Sequence, residues 1–356
     1  MAKHRIAVIP GDGIGAEVVA AGLTVLRAVA KGARGLTLTF QSFPWGSDHF
    51  RAHGHLMPED GLARLAEFDA IYFGAVGDPE LPDHLTLWGL RLAICQGFDL
   101  YANVRPARLV EGAPSPLRDV FPGDLDWLVV RENSEGEYAG AGGRVHRGGA
   151  HEVGIETAVF TRTGVSRIMR FALAMAKKRR RRLTLVTKSN AQRHGMVLWD
   201  EVFAELAETE PEVATDRVLV DAATVRMVRD PLSLDVVVAT NLHADILSDL
   251  AAALAGGLGL APSANLDPER RFPSMFEPVH GSAFDIAGQG IANPIGAIRS
   301  AAMMLAHLGE AKAAARIEAA VDAVLAAGRV RTPDLGGTAT TKEVAQAVVA
   351  AVAERR

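Results

Sequence analysis

Short β-branched apolar runs alternate with longer Ala/Leu-rich stretches of helical period along nearly the whole chain. Arg5 to Ile9, Ala70 to Phe73, Trp127 to Val130, Leu183 to Thr187, Arg217 to Val220 and Asp235 to Ala239 read as buried strands. Most are separated by enough chain for a crossover helix, so the pattern predicts an α/β fold with a largely parallel sheet. The middle differs. Gly136 to His151 is Gly-rich and without period, and the strand-like Val153 to Phe160 follows it. This stretch reads either as a flexible loop or as an arm that leaves the body and pairs with another subunit.

The polar residues that end the strands carry chemistry. Arg131 follows Trp-Leu-Val-Val, Lys188 follows Leu-Thr-Leu-Val-Thr, and Asp221 follows Arg-Val-Leu-Val. In open α/β sheets the carboxyl ends of strands form the ligand edge, and three residues of complementary charge suggest a site for an anion and a metal. Asp245 and Asp249 are one helical turn apart, so both carboxylates project from one face. Ile246, Leu247 and Leu250 make that helix read as mostly buried, where two unpaired carboxylates are costly. The pair reads as a cation site or as an exposed helix face. Asp221, as a third ligand, favours the cation, and all-oxygen donors favour Mg²⁺ or Mn²⁺. Arg105 and Arg131 are surface arginines or, at the same edge, a bidentate grip on a carboxylate.

Gly11-Asp12-Gly13-Ile14-Gly15-Ala16 fits the dinucleotide pattern G-x-G-x-x-G/A, but a Rossmann unit also places an acid about 20 residues on. No Asp or Glu occurs between Glu17 and Asp48, so the glycines are read as a tight turn and the fold as not Rossmann. His49, His53 and His55 read as a solvated loop rather than a metal cluster.

At 356 residues the chain is longer than one core usually organises, which predicts two domains or lobes. A net charge of −4 gives no electrostatic case for nucleic acid or an anionic membrane. The basic run Lys177 to Arg182 reads as a solvated helix end. The single cysteine, Cys95, excludes an internal disulfide framework and a Cys-based zinc site. No signal-type apolar segment opens the sequence, and no stretch approaches the ~20 apolar residues of a membrane span. The expected compartment is the cytoplasm.

The motifs resemble a known family, the β-decarboxylating dehydrogenases of isocitrate, 3-isopropylmalate and D-malate/tartrate. The resemblance covers essentially the whole chain. It rests on Ile9-Pro10-Gly11-Asp12-Gly13-Ile14-Gly15, Met57-Pro58-Glu59-Asp60, Arg131-Glu132-Asn133-Ser134-Glu135-Gly136-Glu137-Tyr138 and Thr187-Lys188-Ser189-Asn190. Asn241-Leu242-His243-Ala244-Asp245-Ile246-Leu247-Ser248-Asp249 and Glu277-Pro278-Val279-His280-Gly281-Ser282-Ala283 extend it. Pro82-Asp83-His84 with Leu87-Trp88-Gly89, and Ala261-Pro262-Ser263-Ala264-Asn265 with Phe272-Pro273-Ser274, look most like the D-malate/tartrate branch.

The resemblance implies the two-lobed α/β fold of isocitrate and isopropylmalate dehydrogenases. Residues 1–102 and 258–356 would form a cofactor-binding lobe, and residues 103–257 a lobe for dimerisation, metal and substrate, with the arm near 140–160. It further implies a homodimer with shared active sites, Lys188 and Asp221 coming from the partner subunit. The reaction would be NAD-dependent and Mg²⁺- or Mn²⁺-dependent oxidative decarboxylation of a malate-type (2R)-2-hydroxy acid to a 2-oxo acid and CO₂. Asp221, Asp245 and Asp249 would hold the metal, Lys188 would take the hydroxyl proton, and Tyr138 would act as general acid. Arg105, Arg131, Trp88 and Arg91 would meet the substrate. Glu277, His280, Gly281, Ser282, Ala283, Asp285, Asn293 and Asn190 would meet NAD, with Asp285 favouring it over NADP. A 3-isopropylmalate-like enzyme, an enzyme for a malate with a polar or anionic C3 substituent, and an inactive regulatory paralogue are the alternatives. The paralogue typically lacks the Tyr, Lys or Asp residues present here.

Two departures bear on substrate. Where the family helix normally supplies a third arginine, this chain has Cys95, and Phe284 replaces a usual proline. Arg91, one turn before Cys95, either replaces the missing guanidinium, or binds a polar or anionic group on C3, or snorkels to solvent over a small packed cysteine.

Overall fold

Ile6, Ala7, Val8 and Ile9 are all buried in strand β1 (Ala2–Gly11), as a strand covered on both faces requires. Ile6 and Val8 belong to one apolar cluster and Ala7 and Ile9 to another, because successive side chains leave a strand on opposite sides. The computed structural model describes residues 2–33 and 35–355. Among these, the other strands are β2 (Leu36–Ser42), β3 (Ala70–Ala75), β4 (Ala102–Arg108), β5 (Asp126–Glu132), β6 (Gly136–Val145) and β7 (Val153–Val159). They continue with β8 (Arg182–Thr187), β9 (Ala214–Leu219), β10 (Val236–Ala239), β11 (Pro262–Leu266) and β12 (Ser274–Pro278).

The chain divides into two units. The first comprises the described residues up to Leu100, Arg105–Leu125, and those from Ala252 on; the second comprises Tyr101–Val104 and Asp126–Ala251. Residues 105–125 therefore lie with the first unit, whereas the sequence-based division placed them in the second.

In the first unit the strand order is β2-β1-β3-β12-β11, parallel except for the β11–β12 pair. Helices Gly15–Gly32, Ile295–His307, Ala311–Ala327 and Thr341–Glu354 build the larger core with Ile6, Val8, Tyr72 and Phe276. Thr340 opens the last of them with a capping box to Glu343. Ile9, Phe73, Met275 and Cys95 belong to the smaller core.

In the second unit β5-β10-β8-β9 run parallel, with Val236–Val238 paired to Leu128–Val130 on one side and Leu183–Leu185 on the other. Helix Arg162–Lys177 turns Val165, Ile168, Met169, Ala172, Leu173 and Ala176 inward, the three-and-four spacing of a helical face. The aperiodic stretch after Gly136 is a hairpin, not a loop. β6 and β7 pair antiparallel, and β7 is exposed along its whole length.

Three local readings change. Val220 starts helix Val220–Arg229 instead of ending β9. The basic run is not simply solvated: Arg179 and Arg180 bind Asp235, which has no exposed surface, and both donate to the carbonyl of Asp126. A buried carboxylate demands such partners. The histidine stretch is helical over Ser47–His53, with the rings of His49, His53 and His55 between 4.5 and 6.0 Å apart. Among the described residues no group of three or more His, Cys, Asp or Glu is arranged to hold a metal. None of their helices is long and apolar enough to cross a membrane.

Candidate active site

In the second unit, the segment Arg131 to Tyr138 gives nearly every residue a fixed task. Arg131, 2% exposed, is the last residue but one of β5 and donates from Nε to Asn241 Oδ1 at 2.9 Å. One of its terminal nitrogens pairs with Asp245, and its guanidinium lies 5.2 Å from the centre of the Tyr138 ring. The Tyr138 hydroxyl donates to the other Asp245 oxygen at 3.2 Å. Glu132 is buried in a nest of Ser134 N, Ser134 Oγ and Glu135 N, and burial pushes its carboxyl up to about 7 against those hydrogen bonds. Glu135 accepts from Thr161 at the start of helix Arg162–Lys177. Gly136 has φ +81°, and Glu137 accepts from Thr240 Oγ1 and from the Leu242 amide at the start of helix Asn241–Leu254. A carboxylate there meets amides that lack helical partners.

Lys188, beyond the end of β8, lies with Nζ 3.0 Å from Asp221 Oδ1, and the ammonium holds the Asp221 carboxyl below its usual range. Asn190, two residues on, is exposed. His243 is buried, Nδ1 has no hydrogen-bond partner, and burial lowers its basicity.

The carboxylates thus fall into two groups: Asp245 with Arg131 and Tyr138, and Asp221 with Lys188. Within one chain the three aspartates are not gathered into a metal cluster. The helix that carries Asp245 and Asp249 is also less buried than its apolar residues suggested, since Ile246 is 57% exposed and Asp249 is exposed. Burial cost therefore does not by itself demand a cation. The donor chemistry does fit one: three ionisable oxygen ligands, and no sulfur or nitrogen, suit Mg²⁺ or Mn²⁺.

In the first unit, the glycine turn after β1 is tight for steric reasons. A Cβ on Gly13, whose φ is +54°, would lie 2.0 Å from the Ser282 carbonyl oxygen. The Ile14 amide donates to that oxygen at 2.8 Å. Asp12 is buried and takes the Ser47 amide, the Ser47 hydroxyl and the Gly77 amide. The turn is thus a clamp on the segment after β12, not a phosphate loop of Rossmann type.

That segment has the features of a ligand strip. Gly281 and Asp285 are exposed, Ser282 is half-buried, and Ala283 has φ +39°. His280 bonds through Nδ1 to the Gly281 carbonyl at 2.9 Å, while Nε2 is buried without a partner. Burial keeps the ring neutral, so Nδ1 is the donor and Nε2 an acceptor awaiting a hydroxyl or amine. Asn293 accepts from the Ile295 amide and donates to Asp334 at 2.9 Å. An orphaned acceptor beside an open strip fits a polyhydroxylated cofactor such as NAD.

Also in this unit, Trp88 is 37% exposed, Cys95 is fully buried, and Arg105 is buried on β4. Arg91 is 8% exposed, which removes the snorkelling alternative, and it pairs with Glu277. Sequence reasoning missed the Asp12 clamp, the helix-capping Glu137, the nest around Glu132 and the Asn265–Glu277–Arg91 contact. Every one but Arg91 lies inside a quoted motif. The available signal was a polar residue with no other task in an apolar neighbourhood.

Residues 5–348 match the family described as isocitrate/isopropylmalate dehydrogenase, and the chain belongs to that family. It is an oxidoreductase, and within the family it groups with the decarboxylating dehydrogenases of D-malate and tartrate. It is 62% identical to the probable tartrate dehydrogenase/decarboxylase of Agrobacterium vitis, over 99% of this chain and 97% of that one. It is 51% identical to the D-malate dehydrogenase [decarboxylating] of Escherichia coli (strain K12), over 98% of each. The crystal structure of isocitrate dehydrogenase from Methylococcus capsulatus is similar with TM-score 0.87 and 39% identity, covering 98% of this chain and 99% of that one.

Proposed function

We propose that this protein catalyses NAD-dependent, Mg²⁺- or Mn²⁺-dependent oxidative decarboxylation of a malate-type (2R)-2-hydroxy acid, of the D-malate or tartrate kind, to a 2-oxo acid and CO₂. The observation that carries the reading is the meeting of Arg131, Tyr138 and Asp245: an anion-binding cation, a phenolic acid and a hard metal ligand at one point.

Asp221, Asp245 and Asp249 would hold the cation, which when bound lowers the pKa of the substrate hydroxyl and stabilises negative charge on the oxygen after CO₂ leaves. Glu277, His280, Gly281, Ser282, Ala283, Asp285, Asn293 and Asn190 would hold NAD, which accepts the hydride. Arg105 and Arg131 grip the carboxylate that departs, and the Asn241 contact keeps the Arg131 fork from rotating. Lys188, once its ammonium has released a proton to solvent, takes the hydroxyl proton as base. Tyr138 delivers a proton to the carbon that lost CO₂, its hydroxyl being already aimed by the Asp245 contact. Lys188 and Asp221 serve the site of a second copy in a homodimer, which brings together the carboxylates that one chain keeps apart.

The test is a substrate panel with purified protein, NAD and Mg²⁺ or Mn²⁺: D-malate, tartrate isomers, 3-isopropylmalate and isocitrate, followed by NADH absorbance and CO₂ release. D-malate or a tartrate isomer should give the highest kcat/KM. NADH formation without CO₂ from D-malate, or no turnover of any compound, would sink the reading.

A further inference from the structure

The helical segment that begins at Asp83 and ends at Gly97 contains a π turn over Leu87–Leu92, and Arg91 lies in that turn. Such widened turns recur at functional sites. The Arg91 guanidinium donates from Nε to both Glu277 oxygens, at 2.9 and 3.1 Å. Its Nη2 lies 2.7 Å from Glu277 Oε1 and 3.2 Å from Asn265 Oδ1. Asn265 closes the triangle by donating from Nδ2 to Glu277 Oε1 at 2.7 Å. The side chains of Arg91 and Glu277 are 10% and 6% exposed, and Asn265 is fully buried.

Burying a carboxylate this deep is costly unless a positive group and hydrogen bonds compensate it. Among the described contacts of Glu277, Arg91 supplies that charge and Asn265 supplies direction. The backbone is pinned as well, since the Ser300 hydroxyl donates to the Glu277 carbonyl at 2.7 Å. Met275 and Glu277 project from the same face of β12, two residues apart. Arg91 and Cys95 are four residues apart on the helical segment, and Cys95 and Met275 belong to one buried cluster. The segment is thus keyed to β12 by an apolar contact region and, beside it, an ionic one. β12 leads directly into Val279-His280-Gly281-Ser282-Ala283.

We propose that Arg91 is a positioning residue for the cofactor side of the reaction: through its paired hydrogen bonds it fixes the Glu277 carboxylate beside the strip that binds the nicotinamide nucleotide. This inference rests on the assignment of that strip to NAD under Proposed function. A carboxylate fixed there meets the positive ring of the oxidised nucleotide more favourably than the neutral reduced ring. Arg91 thereby acts on nucleotide affinity and on the ratio between its two redox forms. It does not bind the hydroxy acid.

The test uses the full-length protein and the variants Arg91→Met, Arg91→Lys, Glu277→Gln and the Arg91→Met/Glu277→Gln double variant. Nucleotide binding is measured by NADH fluorescence and NAD⁺ calorimetry, and both KM values by steady-state kinetics. Arg91→Met should weaken NAD⁺ binding by about tenfold or more, the scale of a charge-assisted hydrogen bond, and weaken NADH binding less. The KM for the hydroxy acid should change by less than about threefold. Arg91→Lys should recover part of the NAD⁺ affinity. The double variant should bind NAD⁺ no worse than Glu277→Gln alone, because no lone buried charge remains, and it keeps the comparison open should Arg91→Met fold poorly. A rise in hydroxy-acid KM with unchanged nucleotide affinities, or effects of the two single substitutions that multiply, would overturn the proposal. Wild-type protein that binds neither nucleotide would instead refute the assignment of the strip, and is read before any variant.

Discussion

Lys188 and Asp221 stand beyond the ends of neighbouring parallel strands β8 and β9, with ammonium nitrogen and carboxylate oxygen 3.0 Å apart. The Asp221 side chain is 66% exposed and is not grouped with Asp245 and Asp249 within the chain. With Asp221 facing outward, the base and metal ligand proposed above are suited as a pair to completing another copy's site. The first prediction is therefore complementation. Tyr138→Phe and Lys188→Ala homodimers should each be nearly inactive, and mixing them under conditions that exchange subunits should restore activity. Proven exchange with no recovery would mean that each site is built within one chain.

Metal dependence is the prediction of the proposed donor set, Asp221, Asp245 and Asp249. Dialysis against chelator should abolish turnover, and Mg²⁺ or Mn²⁺ should restore it. Asp245→Asn should raise the metal concentration needed for half-maximal activity by at least about tenfold, since a neutral amide is a much weaker ligand for a hard cation. It also leaves buried Arg131 short of an anionic partner, so Tm should fall. Full activity in verified metal-free protein would exclude the mechanism.

Much of this was legible in the sequence where one physical constraint dominates. Ile6–Ile9 could be read as a strand because a run buried on both faces has no polar position, and Gly13 as a turn because no other residue fits against Ser282. Failures came where a residue's task depends on a distant partner. Ile246 looked like core, but its helix shows that side to solvent. Arg179 looked solvated because Asp235, its buried partner, is far along the chain. The pairing of Arg91 with Glu277 spans most of the sequence, and no local pattern encodes it.

Under the proposed function, cofactor choice would rest on Asp285, exposed in the strip after His280. A carboxylate there would accept ribose hydroxyls and repel a 2′-phosphate, as an acid at the ribose does in dinucleotide sites generally. NAD should give the higher kcat/KM, and Asp285→Ser should narrow the NAD/NADP ratio by about tenfold, or ~1.4 kcal/mol. Steady-state kinetics with both nucleotides decide it: an equal or better kcat/KM of the wild type with NADP would refute the assignment.

The pH dependence of stability should carry the mark of Glu132. Its carboxyl is buried at 1% exposure, and burial raises it from an ordinary value of 4.5 to about 7, although Ser134 and Glu135 donate to it. Because the folded value lies above the unfolded one, the native state holds a proton that the unfolded chain has released over that interval. The stabilising contribution is complete below about pH 4.5 and declines as pH rises, levelling off just above about 7. Glu132→Gln keeps the shape and cannot ionise, so it should remove this decline while losing part of the nest's hydrogen bonding at every pH. Denaturant midpoints of the two proteins, measured across that interval, should converge as pH rises. The difference in unfolding free energy should change by up to about 3 kcal/mol. Parallel curves for wild type and Glu132→Gln would show that Glu132 is ionised throughout and that its nest outweighs its burial.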